Sequence, residues 1–266
     1  NAGYTGADGH NCSTCLAGTY KDTTGGHACT GCPGNSSSAP AAVSALNCTC
    51  NAGYTGADGG PCEACEENTF KNVSGSQACR SCPLDSSSPL ASTTRFNCTC
   101  DDGYDGDAGG PCGACVAGKY KDSDTGGCSN CPLHTTSAEG SADITDCECT
   151  AGYFGANGQV CQQCLPGTFK NTTGPANCST CPANSSSAPG ATVVTDCTCN
   201  PGSTGLDGRP CELCAAGTYK NFSGSEACAT CPTHSSSARG SVNELDCFCV
   251  EGYTGSGGKM CEACVA

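Results

Sequence analysis

CEACEENTFKNVSGSQACRSCPLDSSSPLASTTRFNCTC, residues 62–100, decides the fold. Its six cysteines open a spacing, C-x2-C-x13-C-x2-C-P-x14-C-x-C-x11-C, that returns along the whole chain. The first cysteine of each pass falls at Cys12, Cys62, Cys112, Cys161, Cys211 and Cys261, a period of 49 or 50 residues. One residue is missing from the third pass, between Cys115 and Cys128. Fixed cysteines at that period mean a tandem array of small cross-linked modules in place of one large domain.

Composition supports this reading. Cysteine accounts for 32 of 266 residues, whereas Leu, Ile, Val and Phe together number only 25. So little apolar surface cannot offset chain entropy, so cross-links have to do what a core does elsewhere. The net charge of −14 argues against nucleic acid and anionic membrane surfaces as partners, because both need a basic face. No apolar run approaches the ~20 residues of a membrane span.

Taken alone, Cys12, Cys15, Cys29 and Cys32 have four-thiolate zinc spacing. Three features favour disulfides instead. Each repeat adds a C-x-C pair that a four-ligand site does not need. The segments around the pairs, such as CPANSSSAPG, are Gly/Ser/Pro turns without the basic residues of nucleic-acid zinc modules. Nine N-x-S/T triplets, at Asn11, Asn35, Asn47, Asn72, Asn97, Asn171, Asn177, Asn184 and Asn221, fit a secreted, oxidised protein. His10, His27, His134 and His234 stand at scattered registers, so no histidine metal or catalytic site is expected. Asp101, Asp102, Asp105 and Asp107 form an acidic cluster that no other repeat reproduces, and calcium is not expected there.

The run CTCNAGYTGADGGPC, Cys48 to Cys62, resembles the last third of an epidermal-growth-factor-like (EGF-like) module. CEACEENTFKNVSGSQACRSCP resembles the cysteine-rich ephrin-receptor-like repeat, with its C-x2-C, aromatic-Lys and C-x2-C-P elements. These resemblances cover essentially the whole chain and imply a small disulfide-rich fold. The expected architecture is an elongated tandem array of EGF-like modules with short β-hairpins and little regular secondary structure. Modules are expected at 15–62, 65–112, 115–161, 164–211 and 214–261, flanked by partial modules at 1–14 and 264–266. The EGF-like pairing implies Cys15–Cys32, Cys29–Cys48 and Cys50–Cys62 in the first module, and Cys65–Cys82, Cys79–Cys98 and Cys100–Cys112 in the second. It continues with Cys115–Cys131, Cys128–Cys147 and Cys149–Cys161, then Cys164–Cys181, Cys178–Cys197 and Cys199–Cys211, then Cys214–Cys231, Cys228–Cys247 and Cys249–Cys261. Cys12 and Cys264 are left over, with partners expected beyond the segment. The competing tumour-necrosis-factor-receptor pattern would pair Cys15 with Cys29 instead. Six cysteines allow 15 arrangements, and spacing does not choose among them.

Other positions also recur. Asp-Gly at Asp8-Gly9, Asp58-Gly59 and Asp207-Gly208 marks a turn. Tyr20, Phe70, Tyr120, Phe169 and Tyr219 form one aromatic register, and Tyr4, Tyr54, Tyr104, Tyr153 and Tyr253 another, with Ser203 in place of the ring at one joint. These rings are expected to pack at module joints. Lys21, Lys71, Lys121, Lys170 and Lys220 follow the first aromatic; a solvated head is the simple reading and a contact with acidic neighbours the alternative. N-glycans are expected at Asn72, Asn171 and Asn221, and at Asn35 and Asn184. Asn11, Asn47, Asn97 and Asn177 have cysteine at the centre of the triplet and are expected to be poorer acceptors. Hydroxyl clusters such as Ser36-Ser37-Ser38 and Thr135-Thr136-Ser137 are candidates for O-linked sugars.

No catalytic constellation, cofactor loop or metal set stands out, so a non-enzyme is expected. The long Gly, Ser and Thr-rich array most resembles the shaft proteins of algal and protist flagellar hairs, the mastigonemes. That resemblance implies a secreted structural glycoprotein at a cell or flagellar surface. Its expected partners are further copies of itself or a filament core protein, with glycans attached. The alternative is a ligand-binding or adhesive receptor ectodomain, for which the divergent third repeat would be the site.

Overall fold

The computed structural model describes residues 1–7 and 9–265. Asp8 of the first Asp-Gly turn and Ala266 of the last partial module lie outside the described residues. The chain divides into two compact units. The first comprises residues 1–116, 120–129 and 139–143; the second comprises 117–119, 130–138 and 144–266.

In the first unit, residues 54–100 show the building plan. Tyr54–Thr55 pairs antiparallel with Glu63–Ala64, Thr69–Phe70 with Arg80–Ser81, and Ser86–Ser87 with Thr99–Cys100. A 3-10 turn at Arg95–Asn97 precedes Cys98, with the Asn97 side chain accepting from the Thr94 N–H at 2.9 Å. The second unit repeats the plan: Tyr153–Phe154 pairs with Gln162–Gln163, Thr168–Phe169 with Thr180 and Ser179, and Ser185–Ser186 with Thr198–Cys199. Strands of two residues have almost no stability of their own. There is no α-helix among the described residues.

The bridges hold these hairpins. Fifteen disulfides form among the described residues, with sequence separations of 12 to 16 and Cα–Cα distances of 5.5 to 5.8 Å. Chain-entropy reasoning assigns roughly 3 kcal/mol to a bridge closing a loop of this length. Cystine also supplies the core: Cys48, Cys50, Cys98, Cys147 and Cys199 are buried, and Phe70 is the one large apolar ring buried among the described residues.

The pairing is sequential: the third bridge of each module is the one expected, and the first two correct the EGF-like expectation. Cys15–Cys29 and Cys32–Cys48 replace Cys15–Cys32 and Cys29–Cys48. Cys65–Cys79 and Cys82–Cys98 replace Cys65–Cys82 and Cys79–Cys98. Cys115–Cys128 and Cys131–Cys147 replace Cys115–Cys131 and Cys128–Cys147. Cys164–Cys178 and Cys181–Cys197 replace Cys164–Cys181 and Cys178–Cys197. Cys214–Cys228 and Cys231–Cys247 replace Cys214–Cys231 and Cys228–Cys247. The third bridge of each module is Cys50–Cys62, Cys100–Cys112, Cys149–Cys161, Cys199–Cys211 and Cys249–Cys261. Cys12 and Cys264 are unbridged and exposed.

A glycine from the preceding repeat explains the correction. In the hairpin that pairs Phe70 with Arg80, Cys79 lies on the loop side, opposite Lys71. Cys82 lies at the open end, where its N–H donates to the Asn68 carbonyl at 2.9 Å. Gly53 draws Cys65 to the loop side. Its N–H donates to the Lys71 carbonyl at 2.9 Å and its carbonyl accepts from the Cys65 N–H at 2.8 Å. Cys65 therefore sits beside Lys71 and faces Cys79. Gly53 has φ +82°, and a Cβ there would lie 2.4 Å from the Ala91 carbonyl oxygen, so only glycine fits. Gly3 and Cys15, and Gly152 and Cys164, repeat the arrangement.

Candidate functional site: the module joints

The joints hold the most elaborate polar chemistry in the molecule. Lys21, Lys71, Lys170 and Lys220 are buried, each at most 3% exposed. This corrects the expectation of a solvated head, and equally that of a contact with a neighbouring molecule. The Lys71 Nζ donates to the Tyr54 carbonyl at 2.6 Å and to the Gly75 carbonyl. Lys21 bonds the carbonyls of Tyr4 and Gly25, Lys170 those of Tyr153 and Gly174, and Lys220 those of Ser203 and Gly224. One ammonium thus ties its own loop to the strand of the preceding repeat. An ammonium offers donors only, which suits a site made of carbonyls. Burial pushes the Lys71 amine below its usual value of 10.5, and the nearby Asp58 charge opposes that shift. Burial lowers Lys170 likewise, opposed by Glu148.

The sequence carried a signal for this role: glycine stands four residues after the lysine at Gly25, Gly75, Gly174 and Gly224, and Thr125 breaks the pattern after Lys121. Ser203 keeps the joint because the acceptor is a backbone carbonyl, indifferent to the missing ring. The rings themselves are half-buried at most joints. Tyr153 stacks on His134 with centroids 3.9 Å apart, and Tyr253 on His234 at 4.0 Å.

The joint at Lys121 differs. Its Nζ donates to the carbonyls of Cys100 and Asp101 at 2.9 and 3.2 Å. A cleft of about 530 Å³ opens beside it, lined among others by Asp101, Asp102, Asp105, Lys121 and Asp122. Among the described residues no group of three or more His, Cys, Asp or Glu is placed to hold a metal ion.

Asn72, Asn171 and Asn221 are exposed in the loop that follows each buried lysine. Asn35 and Asn184 are exposed at turns with φ +59° and +56°, a conformation asparagine tolerates. The hydroxyl clusters are less open than the sequence implied. Ser86 donates to the Pro83 carbonyl and Ser88 to the Thr69 carbonyl, leaving Ser87 as the accessible member of its triplet.

Among the described residues no helix is long and apolar enough to cross a membrane. No curated protein matches the chain closely enough to stand as a relative. A family model described as tyrosine-protein kinase ephrin type A/B receptor-like matches residues 53–98, 152–197 and 202–247, together more than half of the chain. Each match begins at a joint glycine, Gly53, Gly152 or Gly202, and ends at the cysteine that closes the second bridge of its module. With its tandem, disulfide-closed hairpins, the chain belongs to the ephrin type A/B receptor-like family of cysteine-rich repeats.

Proposed function

We propose that the chain is a structural extracellular glycoprotein, a disulfide-stapled spacer in the shaft of a surface fibre or filament of the mastigoneme kind. The observation that supports this most is the recurrence of one joint: Lys21, Lys71, Lys170 and Lys220 each fasten a loop to the repeat before it by the same carbonyl set. Repeating units that each hold their neighbour are what a load-bearing spacer requires. It has no enzymatic role in this reading. Its partners are further copies or a filament core protein, and its glycans sit on Asn72, Asn171, Asn221, Asn35 and Asn184. Because the lysines are buried, contacts between copies fall to exposed apolar residues such as Leu46, Phe96 and Leu245, which share the middle position of the 3-10 turn. Equally spaced weak contacts add up by avidity. Electron microscopy of natively purified material tests the reading: filaments or bundles are expected, and a strictly monomeric species at high concentration would overturn it.

A receptor or adhesive ectodomain is the second reading, favoured by the cleft at Lys121, which no other joint reproduces in sequence. Binding that is lost on changing the cleft alone would select it.

A further inference from the structure

In most repeats the second residue of the joint strand bonds the segment before the module's second cysteine. The hydroxyls of Thr5, Thr55 and Thr204 donate to the carbonyls of His27, Gln77 and Glu226 at 3.1, 3.2 and 3.0 Å. Asp105 makes the contact through its carboxylate, which accepts from the Cys128 N–H at 3.2 Å. Phe154 holds the same register at the joint before the fourth module, and its side chain has no polar atom to offer. The residue just before the second cysteine is Ala28, Ala78, Gly127 or Ala227 in the other repeats, but Asn177 here. The two departures therefore occur together, and they meet: Phe154, Leu165, Thr168, Asn177 and Cys178 line an apolar groove of about 170 Å³. Asn177 is exposed and opens the triplet Asn177-Cys178-Ser179.

We propose that Asn177 is an N-glycosylation site whose first sugar lies in this groove, with its apolar face on Phe154 and Leu165. The groove is smaller than the ~300–1,000 Å³ of an ordinary ligand pocket and suits one ring held by its own covalent link. Leu165 is 67% exposed, and covering it and Phe154 removes apolar surface from water. The donor is a lipid-diphosphate-linked oligosaccharide. The Asn177 Nδ2 forms a bond to C1 of the proximal N-acetylglucosamine, the C1–O bond to the diphosphate breaks, the diphosphate leaves with the electron pair, and the amide proton passes to the transferase. The proposal rests on the secreted reading above and reverses the expectation that the central cysteine makes Asn177 a poor acceptor.

The chain secreted from a eukaryotic host, with the Phe154→Thr variant, tests it by intact-glycopeptide mass spectrometry and native deglycosylation kinetics. Threonine stands at the equivalent position in Thr5, Thr55, Thr204 and Thr254, so the variant should fold. Asn177 is expected to carry a glycan, released roughly three- to tenfold faster from Phe154→Thr than from the parent, with release at Asn171 unchanged. A bare Asn177 beside occupied Asn72, Asn171 and Asn221 would overturn the proposal alone, as would equal release rates. Bare asparagines throughout would overturn the secreted glycoprotein reading with it.

Discussion

The joints at Lys71 and Lys121 solve one problem in two ways. In the first, the Gly75 N–H donates to the Cys50 carbonyl at 2.8 Å, which leaves Lys71 free to bind Tyr54 and Gly75. In the second, the loop is one residue shorter and Thr125 stands where the glycine would be. Lys121 then donates to the Cys100 carbonyl itself. Asp122 caps the shortened turn, accepting from the N–H groups of Asp124 and Thr125 at 3.1 and 3.0 Å. The carbonyl of the second cysteine in the C-x-C pair must be satisfied, and a flexible ammonium takes over when the loop cannot reach. The cleft at Lys121 opens against this shortened loop, with Asp122, Thr125 and Gly126 in its lining.

The largest effect is expected from the bridges. Removing Cys65–Cys79 by paired serine substitution should cost about 3 kcal/mol, and removing Cys115–Cys128 about the same, read by denaturant unfolding. Peptide mapping without reduction should recover Cys65–Cys79 and Cys82–Cys98; recovery of Cys65–Cys82 would break the account of Gly53.

Lys71→Met should cost about 2 kcal/mol, because it strands two carbonyls, while Lys121→Met at its more open joint should cost about 1 kcal/mol. Hydrogen exchange at the Gly53 and Gly75 amides reads the local opening. Equal costs would mean that burial does not distinguish the joints.

Grafting Asn72–Ala78 in place of Asp122–Gly127 should hand the Cys100 carbonyl back to a glycine N–H, move the Lys121 amine to the Tyr104 carbonyl and close the cleft. A gain of about 1 kcal/mol is expected, with slowed exchange at the grafted glycine.

The smallest effect is on pH. The Lys71 and Lys170 amines should titrate below 10.5, as followed by NMR of the side-chain carbons. Between the folded and unfolded values the unfolded chain holds more protons, so these joints gain stability as pH rises through that window. Titration at or above 10.5 would mean that the Asp58 and Glu148 charges outweigh burial.

The cysteine register, the shortage of apolar residues and the Gly-rich turns were enough to specify oxidised tandem modules with short hairpins, since both the period and the want of a core are local counts. The family resemblance of residues 62–83 was equally legible. The third bridge of each module, such as Cys50–Cys62, also followed from that resemblance, but the pairing of the first two bridges did not. Cys79 and Cys82 are three residues apart and stand at opposite ends of one two-residue strand. Which of them meets Cys65 depends on Gly53, which lies outside the cysteine-defined module 65–112 although the family match includes it. The fate of the lysines was hidden for the same reason: an amine is solvated or buried according to whether carbonyls converge on it, and the Tyr54 carbonyl comes from across the joint. Composition and period thus determined what kind of modules these are. Tertiary structure decided how they are cross-linked and joined, because both outcomes rest on hydrogen bonds to backbone carbonyls across the joint.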